Sequence, residues 1–172
     1  MDATQEIEPT LMGNDTKVER TSERELVVSR TVNGPARLVF EAWTRPELFR
    51  QWWVPKSLGM SLLSCEMDVR VGGTYRLEFD VGADQPAAFF GTYIDVTPPS
   101  RLAWSNDEDG DGGSVTTVTF EERGGKTLLV MHELHASKEA FDAAIGSYDA
   151  IGETLEQLDE LLVTLSASAG PL

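Results

Sequence analysis

The feature that most limits the fold of this chain is a series of six short segments in which apolar and polar residues alternate. The segments span residues 60–69, 73–81, 87–96, 101–107, 114–122 and 126–135. Alternation with a period of two is typical of β-strands that bury one face. The links between them (VGG, ADQP, TPPS, DEDGDGG and RGG) are rich in turn-forming residues. Strands joined by such short links pair with their neighbours, so the pattern predicts an antiparallel meander.

Further elements flank this meander. Residues 24–32 predict one more strand, and two short helices opened by Pro35 and Pro46 follow it. From Ser137, a good helix cap, apolar residues recur every three or four positions as far as Leu162, which predicts one long amphipathic helix. The predicted fold class is α+β: a seven-stranded antiparallel sheet wrapped on a long C-terminal helix, with two short helices after strand 1.

The two ends of the chain differ in composition from this central part. Residues 1–22 are polar and contain no aromatic residue, which predicts a disordered acidic tail. Residues 23–166 predict a single folded domain, and residues 167–172 predict a frayed C-terminus.

Charge and cysteine content restrict the partners and the compartment. The formal net charge of −15 disfavours nucleic acid and anionic membrane surfaces as partners. Cys65 is the one cysteine, which rules out an internal disulfide and fits a reducing compartment. The first ten residues lack the basic and apolar regions of a signal peptide, and no apolar run approaches the ~20 residues of a membrane span. We therefore expect a cytoplasmic protein.

Three local motifs suggest metal or phosphate binding, but their spacing does not fit. The DEDGDGG segment (107–113) begins like a calcium loop, yet position 12 of that loop would be Val118 rather than glutamate, so a solvated turn is predicted. HELH (132–135) is one residue too short for a zinc motif, and on a strand its two histidines face opposite ways. GGKT (124–127) lacks the first glycine of a phosphate-binding loop. We expect no metal, no cofactor and no assignable catalytic residue.

The order of the elements resembles the START-like (SRPBCC, birch-pollen-allergen) superfamily, which has the helix-grip fold. Four stretches make the resemblance more specific: ARLVFEAWTRPELFRQWWVP, GGTYRLEF, GTYIDVTPPSRLAWS and TLLVMHEL. Together they are similar to the family named after the activator of heat-shock protein 90 ATPase, C-terminal-domain type, over residues 25–163. The closing helix departs from many members, because AIGETLEQL stands where they carry a Gly-Trp pair.

The resemblance implies a cavity between the sheet and the C-terminal helix. Strand periodicity puts Tyr75, Leu77 and Phe79 on one face with Arg76 opposite, and it also turns Phe90 inward. His132 has the same parity as its apolar neighbours and is therefore expected to face the helix. The candidate ligand contacts are Trp52, Trp53, Tyr75, Phe79, Phe90, Trp104, Phe120, His132, Phe141, Ile145 and Tyr148. For each of them the alternative role is a core side chain.

Three functions follow from the resemblance. The first is binding of a small apolar or aromatic molecule in the cavity, without catalysis. The second is a co-chaperone role with heat-shock protein 90 in the stress response, which rests on the family name. The third is an enzyme of the polyketide cyclase or aromatase type, in which the cavity orients a chain for ring closure. The first is the interpretation that the aromatic interior favours.

Overall fold

A computed structural model describes residues 10–12, 16–82, 84–107 and 113–169. The strands are β1 (Thr10–Met12), β2 (Thr16–Arg20), β3 (Glu25–Val32), β4 (Ser61–Met67), β5 (Thr74–Asp80), β6 (Ala87–Thr97), β7 (Arg101–Ser105), β8 (Val115–Arg123) and β9 (Lys126–Leu134). The helices are α1 (Ala36–Thr44), α2 (Pro46–Phe49), α3 (Lys138–Ala144) and α4 (Ile151–Ala169), with 3₁₀ turns at Lys56–Leu58 and Ile145–Tyr148. None of the described helices is long and apolar enough to cross a membrane.

The strands form one antiparallel sheet in the order β1-β2-β3-β9-β8-β7-β6-β5-β4. Strands β4 to β9 follow one another as a meander, and β3 pairs with β9 through partners such as Val28 and Met131. The predicted α+β class, with a single antiparallel sheet and a C-terminal helix, is therefore confirmed. The predicted number of strands is wrong, because the described part of the sheet has nine strands rather than seven.

The two additional strands, β1 and β2, lie in the segment predicted to be a disordered tail. Strand β2 pairs with β3 and places Val18 opposite Val28. The Thr16 side chain is fully buried, and its hydroxyl accepts a hydrogen bond from Arg30 at 2.9 Å. The prediction is therefore wrong for residues 16–20, because backbone pairing holds a strand with little apolar pattern of its own. Residues 1–9, 13–15 and, at the other end, 170–172 lie outside the described residues.

The C-terminal helix is divided, whereas one continuous helix was predicted. Ser137 caps α3 as expected, because its hydroxyl accepts a hydrogen bond from the Ala140 N–H at 3.0 Å. The chain then passes through the 3₁₀ turn, which contains Gly146, before α4 begins at Ile151. Glycine has a low helix propensity, which favours a break at this point.

The link between β8 and β9 is a two-residue turn. Gly124 and Gly125 have φ angles of 61° and 84°, in the left-handed region that glycine adopts without strain. A hairpin with two such residues matches the twist of the flanking strands. The predicted glycine turn is therefore confirmed, and it sets the register in which β9 pairs with β8.

Helix α4 is fixed to the sheet by polar contacts as well as by its leucines. Leu155, Leu158 and Leu162 are completely buried. The Asp159 carboxylate lies 2.6 Å from the Arg30 guanidinium of β3, with both groups buried. The same carboxylate accepts a hydrogen bond from the Asn33 N–H at 2.7 Å. A buried ion pair is stable only when such additional hydrogen bonds surround it, so these contacts define one position for the helix.

Candidate ligand-binding cavity

A cavity of about 420 Å³ lies between the inner face of the sheet at β4–β7 and the beginning of α4. Most of the side chains around it are aromatic or aliphatic. They are Trp43, Phe49, Trp53, Val54, Pro55, Leu58, Met60, Met67, Tyr75, Leu77, Phe79, Val81, Ala87, Phe89, Tyr93, Leu102, Trp104, Asn106, Ala150, Ile151 and Thr154. These described lining residues include no Asp, Glu, Lys, Arg or His. Its volume falls within the roughly 300–1,000 Å³ of small-molecule sites.

The cavity reaches the surface where three of its lining residues are well exposed. Leu58, Val81 and Phe89 are 53%, 45% and 46% exposed, whereas Leu77 and Trp104 deeper in the wall are buried. Exposed apolar side chains around a concave surface are common where a cavity opens to solvent. We therefore assign the mouth of the cavity to these three residues.

The tryptophan-rich segment forms one wall of the cavity and the core behind it. The ring centroids of Trp43 and Trp52 lie 4.9 Å apart, and Phe49 stacks on Trp53 at 4.7 Å. Trp52 is completely buried, and its indole N–H donates to the Ala42 carbonyl at 2.9 Å. Such edge and stacked pairs are stabilising beyond their buried area. The cluster therefore makes a rigid wall, with Trp53 facing the cavity and Trp52 in the core.

Two polar side chains of α4 fix the loop at the rim of the cavity. The Gln157 amide donates to the carbonyls of Trp52 and Val54, each at 2.9 Å. Glu153 accepts hydrogen bonds from the N–H and the hydroxyl of Ser57, and the Ser57 hydroxyl is the main cause of its lowered pKa. These contacts hold the loop against the helix, so the rim has a defined shape without a bound ligand.

A chain of hydrogen bonds leads from the cavity wall to a buried carboxyl group. The Tyr75 hydroxyl donates to the Asn106 side-chain oxygen at 2.7 Å, and the Asn106 amide donates to the Thr116 hydroxyl at 3.1 Å. The Thr116 hydroxyl donates in turn to Glu133 at 2.7 Å. Burial raises the pKa of Glu133 to about 7, against the opposing effect of the hydrogen bonds from Thr116 and Ser114. The carboxyl group is thus close to its midpoint of titration near neutral pH.

A second polar cluster lies between α3 and the end of the sheet. His135 Nε2 is 2.8 Å from the Tyr148 hydroxyl, and the imidazole stacks on Phe141 with centroids 4.7 Å apart. The Arg20 guanidinium is 4.0 Å from the centre of the same Phe141 ring. Burial, together with the nearby Arg20 charge, lowers the pKa of His135. This cluster attaches α3 to the sheet, and none of its four residues lines the cavity.

Four of the predicted ligand contacts line the cavity: Trp53, Tyr75, Phe79 and Trp104. Trp52 and Phe120 are buried in the core behind the wall, at 0% and 3% exposure. Phe141 and Tyr148 belong to the His135 cluster, and Ile145 is 42% exposed. Contact with a ligand stays a prediction for every one of these residues.

Phe90 and His132 lie on the outer face of the sheet. Phe90 is 37% exposed, and its ring is 5.6 Å from the Arg76 guanidinium, which points outward as predicted. His132 is half-exposed, and its ring nitrogen lies 3.0 Å from a Glu25 carboxylate oxygen. Their predicted inward orientation is therefore wrong. Both strands carry apolar residues at consecutive positions, so alternation alone does not distinguish their two faces.

The main residues that the sequence did not indicate lie on β6, directly after β7 and on α4. Tyr93 and Asn106 supply polar atoms to the wall, and Thr154 faces it from the first turn of α4. The missing information was the register of β5 with β6, in which Tyr75 pairs with Gly91. Cross-strand partners share a face, so an inward Tyr75 requires inward Gly91 and Tyr93.

The two histidines considered for metal binding are not brought together. His132 and His135 lie on opposite faces of the sheet, as the spacing predicted. In the described part of the chain, no group of three or more His, Cys, Asp or Glu residues could hold a metal ion. Residues 108–112 of the acidic loop lie outside that part.

Comparison with solved structures supports the fold. A protein from Rhodobacter sphaeroides has 26% sequence identity, with 87% of this chain and 99% of that chain covered and a TM-score of 0.78. A protein from Chromobacterium violaceum has 27% identity, with 81% and 97% covered and a TM-score of 0.70. One from Nitrosomonas europaea has 23% identity, with 83% and 96% covered and a TM-score of 0.74. None of the curated proteins compared with this chain matches it.

Comparison of the sequence with known protein families identifies the family of this chain. Residues 33–163 match the family described as Activator of Hsp90 ATPase homolog 1-like protein. The match includes the tryptophan-rich wall, strands β4–β9 and most of α4, which are the elements that enclose the cavity. The chain therefore belongs to the Activator of Hsp90 ATPase homolog 1-like family.

Proposed function

We propose that this protein binds a small, largely apolar molecule with an aromatic part in the cavity between the sheet and α4. The observation that carries the proposal is the 420 Å³ cavity with its aromatic and aliphatic lining. Binding there would remove apolar surface of both the ligand and the cavity wall from water. Each Å² of apolar surface removed contributes roughly 25 cal/mol to the binding free energy. The faces of Trp53 and Trp104 are available for stacking on a ligand ring.

The same lining favours binding over catalysis. General acid–base catalysis needs a titratable group within hydrogen-bond reach of the reacting atoms. The titratable groups among the described lining residues are the phenols of Tyr75 and Tyr93, and burial raises the pKa of Tyr93 further above neutral pH. Glu133 is connected to the cavity through Thr116 and Asn106. An asparagine amide transfers no proton at ordinary pH. The series of hydrogen bonds from Glu133 to Tyr75 therefore orients Tyr75 and does not relay protons to it.

The proposal is tested by filling the cavity from α4. Thr154 faces the cavity and Thr164 is exposed, yet both hydroxyls donate to the carbonyl four residues earlier, at 3.3 and 3.1 Å. Thr154→Phe should weaken binding of 2-isopropylnaphthalene at least ~10-fold, because the phenyl ring occupies space that the ligand needs. A tenfold increase in the dissociation constant corresponds to about 1.4 kcal/mol of binding free energy. Thr164→Phe is the matched control and should leave the affinity unchanged.

Amide NMR titrations would give both dissociation constants, and thermal unfolding would show that both variants fold. Absence of binding by the wild type, or equal affinity in wild type and Thr154→Phe, would contradict the proposal.

Interaction with heat-shock protein 90 is a second candidate, and the description of the matched family favours it. The fold as such does not decide between a ligand-binding and a protein-binding role. Stimulation of the chaperone ATPase by saturating amounts of this protein would support the interaction. A lack of stimulation together with a lack of binding in a pull-down of the purified proteins would remove this candidate.

A further inference from the structure

We propose that the Tyr93 hydroxyl is the polar recognition point of the cavity and that the ligand presents an uncharged carbonyl oxygen to it. The inference rests on the proposed function and narrows the ligand class to neutral aromatic carbonyl compounds. It assigns a role to a residue that the sequence analysis did not select.

Tyr93 is a buried phenol whose hydroxyl has no hydrogen-bond partner among the described residues. Its side chain lines the cavity and is 3% exposed. The other two tyrosine hydroxyls are engaged: Tyr75 donates to Asn106, and Tyr148 lies 2.8 Å from His135 Nε2. Tyr93 thus differs from the other tyrosines of the chain in presenting an O–H group that the protein itself leaves unsatisfied.

The backbone holds Tyr93 firmly in this position. Its N–H donates to the Gly73 carbonyl, and its carbonyl accepts from the Gly72 N–H, each at 2.9 Å. Its ring lies 5.8 Å from the ring of Tyr75. Among the described residues, the Trp43 indole nitrogen is the one fully buried side-chain polar atom without a partner, so the Tyr93 oxygen retains some accessible surface. A fixed donor that lines an apolar cavity and that the protein leaves unpaired is available to a ligand.

The surrounding charges favour a neutral acceptor over an anion. Burial, with Cys65 and Asp68 nearby, raises the pKa of Tyr93, so the hydroxyl keeps its proton and acts as a donor. The described lining residues include no cation to pair with a carboxylate. A charge buried without a partner carries a large desolvation cost, whereas a carbonyl oxygen requires only one donor.

The test uses three naphthalenes of similar size with the wild-type protein. 2-Acetylnaphthalene carries a carbonyl, 2-isopropylnaphthalene replaces it with an apolar branch, and 2-naphthoate is an anion. Amide NMR titrations should show the ketone binding roughly three- to ten-fold more tightly than the hydrocarbon, the size of one net hydrogen bond. The carboxylate should bind most weakly of the three.

Tyr93→Phe should abolish the preference for the ketone, so that the ketone and the hydrocarbon bind with about equal affinity. The affinity for 2-isopropylnaphthalene should not change. Its melting temperature should equal or exceed that of the wild type, because the variant removes only an unsatisfied hydroxyl. Tyr148→Phe is the matched control, since it removes a phenol hydroxyl that lies outside the cavity lining, and should keep the wild-type preference.

The outcomes separate this inference from the proposed function. Equal binding of ketone and hydrocarbon by the wild type, an unchanged preference in Tyr93→Phe, or a preference abolished by Tyr75→Phe alone would overturn the role of Tyr93 while cavity binding stands. Tightest binding of 2-naphthoate would overturn the neutral ligand class. Failure of all three probes to bind would overturn both proposals.

Discussion

Two halves of the same sheet face carry similar side chains but are covered differently. In the packed half, Val28, Val118 and Leu129 on β3, β8 and β9 are completely buried. In the hollow half, formed by β5, β6 and β7, Leu77 and Tyr93 are almost as inaccessible, yet they border the cavity. Low exposure of apolar residues therefore does not distinguish a filled core from a binding site.

The difference arises from the covering helices. Phe40 of α1 contacts Phe120 edge-on, with centroids 5.7 Å apart, and α4 is attached to β3 through Asp159. Over the hollow half, α4 contributes only Ile151 and Thr154 of its first turn to the lining. The preceding 3₁₀ turn, Ile145–Tyr148, contributes none of its described side chains to the lining.

The largest expected effect comes from breaking the attachment of α4 to the packed half. Asp159→Ala removes the buried carboxylate that lies 2.6 Å from the Arg30 guanidinium, which should lower the free energy of unfolding by about 3–5 kcal/mol. Urea unfolding measures this change. Asp142→Ala, which removes the exposed ion pairs with Arg20 and Lys138, is the matched control and should lower it by less than ~1 kcal/mol. Similar losses in both variants would show that α4 is not fixed through Asp159.

The next effect concerns Glu133 of β9, which the hydrogen bonds through Thr116 and Asn106 connect to the hollow half. Its pKa is raised to about 7 by burial, so the folded state keeps the proton between about pH 4.5 and 7 while the unfolded state releases it. The stability that Glu133 contributes should therefore be present below pH 4.5 and fall as the pH rises through 7. At about 1.4 kcal/mol per pKa unit, the loss is roughly 3 kcal/mol.

Urea unfolding of the wild type and of Glu133→Gln at pH 5 and pH 8 measures this contribution. The variant cannot ionise at this position, so it should lack the corresponding decrease. Identical pH dependence in the two proteins would contradict a buried carboxyl with a raised pKa. The lowered pKa values of Glu25 and Asp95 act mainly below this range.

The smallest expected effect is the difference in stability cost between two leucine substitutions, one in each half. Leu129→Ala in the packed half should cost about 3 kcal/mol, because it leaves a new void in filled surroundings. Leu77→Ala should cost roughly 1–2 kcal/mol less, since Leu77 already borders empty space and loses fewer contacts. Thermal or urea unfolding gives both values. Equal costs would show that the hollow half is as tightly filled in solution as the packed half.

Much of this organisation was predictable from periodicity. Alternation placed Tyr75, Leu77 and Phe79 inward and Arg76 outward on β5, as the structure has them. Polar residues at every second position leave one choice of face on such a strand. The order of β4 to β9 was equally clear, because each short link contained residues suited to a turn.

The remaining errors have physical causes in particular residues. On β9, Leu128 to Met131 are apolar in succession, so only pairing with β3 and β8 decides which of them are inside. A register shift between Tyr93 and Asp95 changes the alternation within β6. A cavity is also invisible to residue patterns, because its existence depends on where α4 lies rather than on which residues face it.

The N-terminal hairpin decides which strand ends the sheet. Strand β2 satisfies the outer hydrogen-bonding edge of β3, so β3 is an interior strand although it is the first one of the predicted domain. If residues 1–22 were removed as a dispensable tail, that edge, with its row of N–H and C=O groups and its valines, would become free. Open edges of this kind recruit strands from other molecules. Removal of this segment, which looks expendable in the sequence, is therefore expected to favour self-association.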